Sequence, residues 1–109
     1  MNQATWTAVD SYISEVMIRS EPVQEKALRR NTAEELPPID VTPNLGKLIY
    51  LLAKMHSAKR ILENGTLGGY STVWLARALP PDAYLVTLKF FEKYAEVAQA
   101  NIARGGFAD

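Results

Sequence analysis

The residues from Arg60 to Thr72 (Arg-Ile-Leu-Glu-Asn-Gly-Thr-Leu-Gly-Gly-Tyr-Ser-Thr) have the types and spacing to hold a charged small molecule. An apolar run ends on an acid, Glu63, passes through a turn containing Gly65 and Gly69, and reopens as a helix at Tyr70. Glycine lets the backbone turn sharply and approach a ligand closely. A helix start presents unpaired N–H groups where the dipole favours negative charge, so Ser71 and its neighbouring N–H groups suit a carboxylate. Glu63 at the strand tip suits an ammonium group. The pattern fits a nucleotide-like or carboxylate-bearing cofactor lying across the end of a strand. Plainer roles stand beside each of these. The turn can be a tight connection with no ligand, Asn64-Gly65 a hairpin turn, Glu63 a partner for Lys59 or Arg60, and Ser71 and Thr72 helix caps.

The elements that must position these residues are legible on both sides. A helix from Thr5 to about Ile18 places Trp6, Val9, Ile13, Val16 and Met17 near 3.6-residue spacing. A charged second helix restarts at Ser20-Glu21-Pro22, with Ser20 as cap, and ends before Leu36-Pro37-Pro38. Thr42 caps a third, with Pro43 in its first turn and Leu45, Leu48, Ile49, Leu52 and Met55 as its apolar face. Lys59 to Glu63 then reads as a strand, Tyr70 to Leu79 as a helix, Tyr84 to Leu88 as a strand, and Glu92 to about Arg104 as a helix closed by Gly105-Gly106. Strand, helix, strand, helix predicts a parallel α/β unit preceded by helices. Residues 1–109 form one domain, with N-terminal helices over 1–36 and the α/β unit over 40–109.

Composition excludes several classes. Lys+Arg and Asp+Glu are both 12, which leaves no electrostatic footprint for nucleic acid or an anionic membrane. No apolar run approaches the length of a membrane span. Cysteine is absent, so there is no thiolate chemistry, in keeping with a cytoplasmic protein. The single His56 rules out a multi-histidine metal site and suits the C-terminal end of its helix.

With that order established, the chain resembles the S-adenosylmethionine-dependent O-methyltransferases of the catechol and caffeoyl-CoA type, particularly the bacterial ones. The resemblance rests on Leu36-Pro-Pro-Ile-Asp-Val-Thr-Pro-Asn-Leu-Gly-Lys47, on Arg60 to Thr72, and on Glu96-Val-Ala-Gln-Ala-Asn-Ile-Ala-Arg104. It implies an α/β fold that is half of a Rossmann-like methyltransferase sheet. It also implies S-adenosylmethionine as cofactor, with Val41 and Thr42 at its methionine end, Glu63, Gly65 and Gly69 in the first motif, and Ser71 on its carboxylate.

Three departures stand against it. Lys89 follows the second strand where the family has an acid for the ribose hydroxyls, and lysine offers no acceptor. Losing such a contact costs about 2–5 kcal/mol of binding. Asn64 replaces an aliphatic residue, and the following loop reads Phe90-Phe91-Glu92-Lys93-Tyr94.

Family members are longer. Their divalent-metal ligands, catalytic base and most of the acceptor pocket lie beyond the matched blocks, so no catalytic or metal residue is assigned here and no turnover is expected from this chain alone. Two parallel strands leave an open edge, and a homodimer pairing the first strands antiparallel is the expected remedy. Leu45, Tyr50, Phe90, Phe91 and Tyr94 read as apolar additions at such surfaces. Two functions follow: a cofactor-binding module, or a redesigned, self-associating scaffold whose glycine turn is empty.

Overall fold

The computed structural model describes residues 2–19 and 21–107. Asn2 caps the first helix, α1 (Gln3–Met17), by accepting from the Thr5 N–H. α2 (Pro22–Ala33) begins with Pro22 and a capping box in which Glu21 and Gln24 exchange hydrogen bonds. The capping role read for Ser20 lies outside the described residues. Thr42 caps α3 (Pro43–Met55) as its sequence implies, its hydroxyl accepting from the Leu45 N–H at 3.3 Å. Strand β1 (Arg60–Asn64) starts one residue later than expected and includes Asn64, while β2 covers Tyr84–Leu88. Between them lies α4 (Tyr70–Ala78), and α5 (Glu92–Arg104) follows β2.

The ends of α2, α3 and α5 share one closure. In α5 the Phe107 N–H reaches the Ile102 carbonyl and the Gly106 N–H reaches Ala103, with Gly106 left-handed at φ +81. This is the Schellman arrangement expected of Gly105-Gly106. Glu35 and Ser57 occupy the same left-handed position after α2 and α3 without being glycine. His56 is the C-cap of α3.

β1 and β2 pair in parallel, with Ile61 opposite Leu85 and Glu63 opposite Thr87. These four side chains share the half-buried face of the sheet, which the helices cover. The other face shows Leu62, Tyr84, Val86 and Leu88 to solvent. α4 is the central helix, touching α2, α3, α5 and β2. Its Tyr70 and Trp74 join Ala27 of α2 in a buried cluster, against which Ile18, Leu28, Val41, Ile49 and Tyr50 pack.

The apolar stripe of α3 is turned mostly outward: Leu45, Leu48, Leu52 and Met55 are exposed, and only Ile49 packs against the buried cluster. The buried side runs through Gly46 and Ala53, because at Gly46 the helix backbone comes against the Trp74 indole. Tyr50 is not a surface addition. It lies edge-on to Trp74 at 6.3 Å and is ringed by Lys47, Lys54 and Arg77. Arg77 also meets Glu21 at 2.6 Å, tying α4 to the start of α2.

Candidate functional site

The glycine turn is anchored to the tip of β2. The Leu88 carbonyl accepts from the N–H groups of Gly65 (2.9 Å) and Thr66 (3.0 Å) and from the Thr66 hydroxyl (3.0 Å). Gly65 is left-handed at φ +106, and a side chain there would point into open space, so its glycine answers a backbone requirement. Gly69 is the N-cap of α4 at φ +84, and a Cβ there would lie 3.3 Å from the Ala98 backbone of α5. It serves the close approach of two helices. No side chain caps α4, so the N–H groups of its first turn are left to other partners.

Glu63 gathers hydroxyls. Ser71 donates to Oε2 at 2.7 Å, Thr87 to Oε1 at 2.6 Å, and Thr72 also to Oε1. Thr66 in turn touches the Thr87 hydroxyl. The strand register brings Thr87 beside the acid, and the first turn of α4 brings Ser71 and Thr72. Hydrogen bonds to a charged group are worth about 1.5–3 kcal/mol each, so this cluster fixes the angle between strand and helix on either side of the turn. Neither Lys59 nor Arg60 is the partner of Glu63; Lys59 pairs with Asp82 at 2.7 Å.

A cavity of about 270 Å³ opens beside the turn. Val41, Gly65 and Ser71 line it, together with Asp40, Thr66 and Lys89. Its apolar walls are Ile39, Leu67, Phe90, Phe91 and Tyr94, the last three forming an edge-to-face series with centroids 4.9 and 5.1 Å apart. Thr42, Glu63 and Gly69 stand outside the lining. Thr42 instead bonds Asp10 of α1 at 3.1 Å, and Glu63 lies behind Ser71. A larger groove of about 570 Å³ runs past Tyr84, Val86 and Phe107, but no charged side chain lines it.

Two side chains that sequence reading passed over, Asn101 and Asn31, hold the turn from below. Asn101 of α5 donates from Nδ2 to the Gly68 carbonyl (2.7 Å) and to Asn31 Oδ1 (3.1 Å). Asn31 of α2 donates to Asp40 Oδ1 at 3.1 Å. Both amides are buried, and a Cβ on Gly68 would overlap the Asn31 side chain. The polar chain thus runs from the turn to the cavity wall. Asn31 and Asn101 are 70 residues apart, so only the uncommon presence of asparagine within two helices could have signalled them.

Burial raises the Asp40 carboxyl above its ordinary value, and the Asn31 hydrogen bond offsets part of this. Its folded pKa exceeds its unfolded one, so stability from this site is full below the ordinary carboxylate range. It is lost as pH rises through the folded pKa. Asp40→Asn keeps an oxygen for Asn31 and removes the charge. Its stability relative to the parent should therefore increase from acid to neutral pH, measured by urea unfolding at both. A pH-independent difference would contradict this assignment. Burial likewise raises the Tyr70 hydroxyl, modified by Trp74 and by the Asp40 charge.

Among the described residues, no three His, Cys, Asp or Glu side chains come together as a metal site, and no helix is long and apolar enough to cross a membrane.

Comparison with known proteins gives a consistent result. A family model described as O-methyltransferase matches residues 14–109. A catechol O-methyltransferase of Niastella koreensis is 45% identical over 106 residues, covering 97% of this chain and 48% of that protein. The crystal structure of the Bacillus cereus O-methyltransferase with SAH superposes with a TM-score of 0.93 at 48% identity, over 96% of this chain and 48% of that one. An O-methyltransferase of Streptomyces achromogenes involved in tomaymycin synthesis, in complex with SAM, gives 0.90 at 44% identity, over 99% and 48%. The chain spans about half the length of the relatives it matches.

Proposed function

The chain belongs to the O-methyltransferase family, and we propose that it forms the S-adenosylmethionine side of a methyl-transfer site. When bound, that cofactor supplies a methyl group on a sulfonium, which passes to an acceptor hydroxyl oxygen as the C–S bond breaks and the hydroxyl proton leaves. One observation carries the reading: Gly65 opens directly onto a cavity whose wall includes Ser71, itself oriented by Glu63. The open backbone at Gly65, the uncapped start of α4 and the Ser71 hydroxyl fit a carboxylate-bearing nucleoside. Val41 and the apolar wall beyond it fit the less polar parts of such a ligand.

The roles assigned to the site's own residues are binding and orientation. We therefore propose that the chain by itself binds without turnover, since positioning of both reactants supplies the rate. A catechol hydroxyl is the acceptor class to test first when a complementary half is supplied, given the name of the Niastella relative.

A second reading has its own support. Leu62, Tyr84, Val86 and Leu88 form an exposed apolar sheet face, and among the described residues β1 pairs only with β2, which favours a scaffold that self-associates through the other edge of β1. Calorimetric titration with S-adenosylhomocysteine, with solution mass recorded alongside, separates the two. Saturable micromolar binding supports the cofactor site. No heat up to millimolar ligand, from a folded dimer, would overturn it in favour of the scaffold.

A further inference from the structure

The tip of β2 carries a cation where a nucleotide fold usually reads the ribose. Lys89 directly follows Leu88, whose carbonyl is held by Gly65 and Thr66, so its backbone is fixed beside the glycine turn. It lies 20 residues beyond Gly69 and lines the same cavity as Gly65 and Ser71. Among the described residues the ion pairs are Arg30–Glu34, Lys59–Asp82 and Arg77–Glu21, so Lys89 has no carboxylate partner.

In dinucleotide-binding units, an acid about 20 residues past the glycines takes the ribose hydroxyls, whereas a cation nearby accommodates a ribose phosphate. An ammonium group has three donors and no acceptor, so it cannot receive the hydroxyl protons of a bare ribose. The start of α5 adds to the preference. Its N-cap, Phe91, supplies no side-chain cap, which leaves positive helix-end N–H groups next to the lysine. Two acids oppose an anion here: Glu92, exposed in the first turn of α5, and Asp40, which reaches the cavity from the connector before α3. Asp40 already shares one oxygen with Asn31. Phe91, Leu67 and Ile39 provide apolar surface for a base.

We propose that this cavity prefers an adenine nucleotide phosphorylated on a ribose hydroxyl over the unphosphorylated nucleoside, with Lys89 contacting the phosphate. The proposal rests on the reading of the cavity as a nucleoside site. Adenosine, adenosine 2′-phosphate, adenosine 3′-phosphate, ribose 5-phosphate and S-adenosylhomocysteine are titrated calorimetrically into the parent chain and Lys89→Glu. One of the two ribose-phosphorylated nucleotides should bind the parent at least about tenfold more tightly than adenosine. Ribose 5-phosphate should bind far more weakly than that nucleotide. In Lys89→Glu the phosphate preference should vanish while affinity for S-adenosylhomocysteine rises.

Equal affinity of the parent for adenosine and both phosphates overturns the inference, as does a preference that survives Lys89→Glu. If S-adenosylhomocysteine still binds in either case, the nucleoside site stands without it. If neither chain binds any adenosine compound, both readings fall.

Discussion

Gly46→Ala is expected to destabilise the chain by about 1–3 kcal/mol, the usual cost of forcing an extra carbon into a packed core. Helix propensity argues the other way, since alanine gains roughly 1 kcal/mol over glycine in a helix interior. The local geometry decides. A Cβ at position 46 would come within 2.7 Å of Trp74 Cε2 and closer still to Nε1 and Cδ1. The indole has little room to withdraw. It is 2% exposed, packs with Ala27 and Tyr70, and has Tyr50 and Arg77 against it. Trp74→Leu should itself be costly, approaching the roughly 3–5 kcal/mol of a truncated core aromatic. Once the indole is gone, however, Gly46→Ala should add little or even stabilise. Urea unfolding of the two single variants and the double variant would show coupling above about 0.5 kcal/mol. Additive losses, or a Gly46→Ala variant as stable as the parent, would show that α3 and α4 are not held at that contact.

The same contact explains where sequence reading failed. Apolar periodicity marks Leu45, Leu48, Ile49, Leu52 and Met55 as one face of α3, yet only Ile49 packs against the buried cluster while the other four are exposed. Burial follows the glycine instead, because the smallest residue allows the helix to approach a tryptophan that comes from elsewhere in the chain. Periodicity identifies a stripe without identifying what packs on it, and among the described residues most of this stripe is left exposed. Local chemistry was far more legible. Thr42-Pro43 announces α3, Gly105-Gly106 closes α5, and the acid–glycine–hydroxyl run marks the turn.

The internal use of those residues was not legible. Glu63 and Ser71 read as ligand contacts, yet they bond to each other, and the third hydroxyl, Thr87, arrives through strand register. The Glu63 carboxylate is already engaged by three hydroxyls, so its first role in the structure is to orient Ser71, Thr72 and Thr87. Removing Glu63 would therefore disturb the turn as well as any contact.

Asn101→Leu carries the second large effect, through groups that touch no ligand. Its Nδ2 is the donor for both the Gly68 carbonyl and Asn31 Oδ1, inside a region where Asn101 is 1% exposed. Stranding two buried acceptors costs about 1–3 kcal/mol each, so a loss of roughly 2–6 kcal/mol is expected. Asn101→Asp tests the same idea with almost no change in volume. It sets a carboxylate oxygen against two oxygens that had shared a donor, so the variant should be at least as unstable at neutral pH. Acid should then rescue it in part. The buried carboxyl would have a raised folded pKa, so its deficit is full above that value and shrinks as protonation restores one O–H donor.

Function provides a readout that a merely structural asparagine would not move. Asn31 passes the constraint on to Asp40 in the cavity wall, and Gly68 passes it to the turn. Affinity for S-adenosylhomocysteine should therefore fall in Asn101→Asp at neutral pH and recover toward acid in step with stability, under conditions where the variant remains folded. Lower stability with unchanged affinity would mean that the buried amides hold α2 to α5 and nothing more. Lower affinity in the folded variant would mean that the shape of the turn depends on a donor about thirty residues away from it.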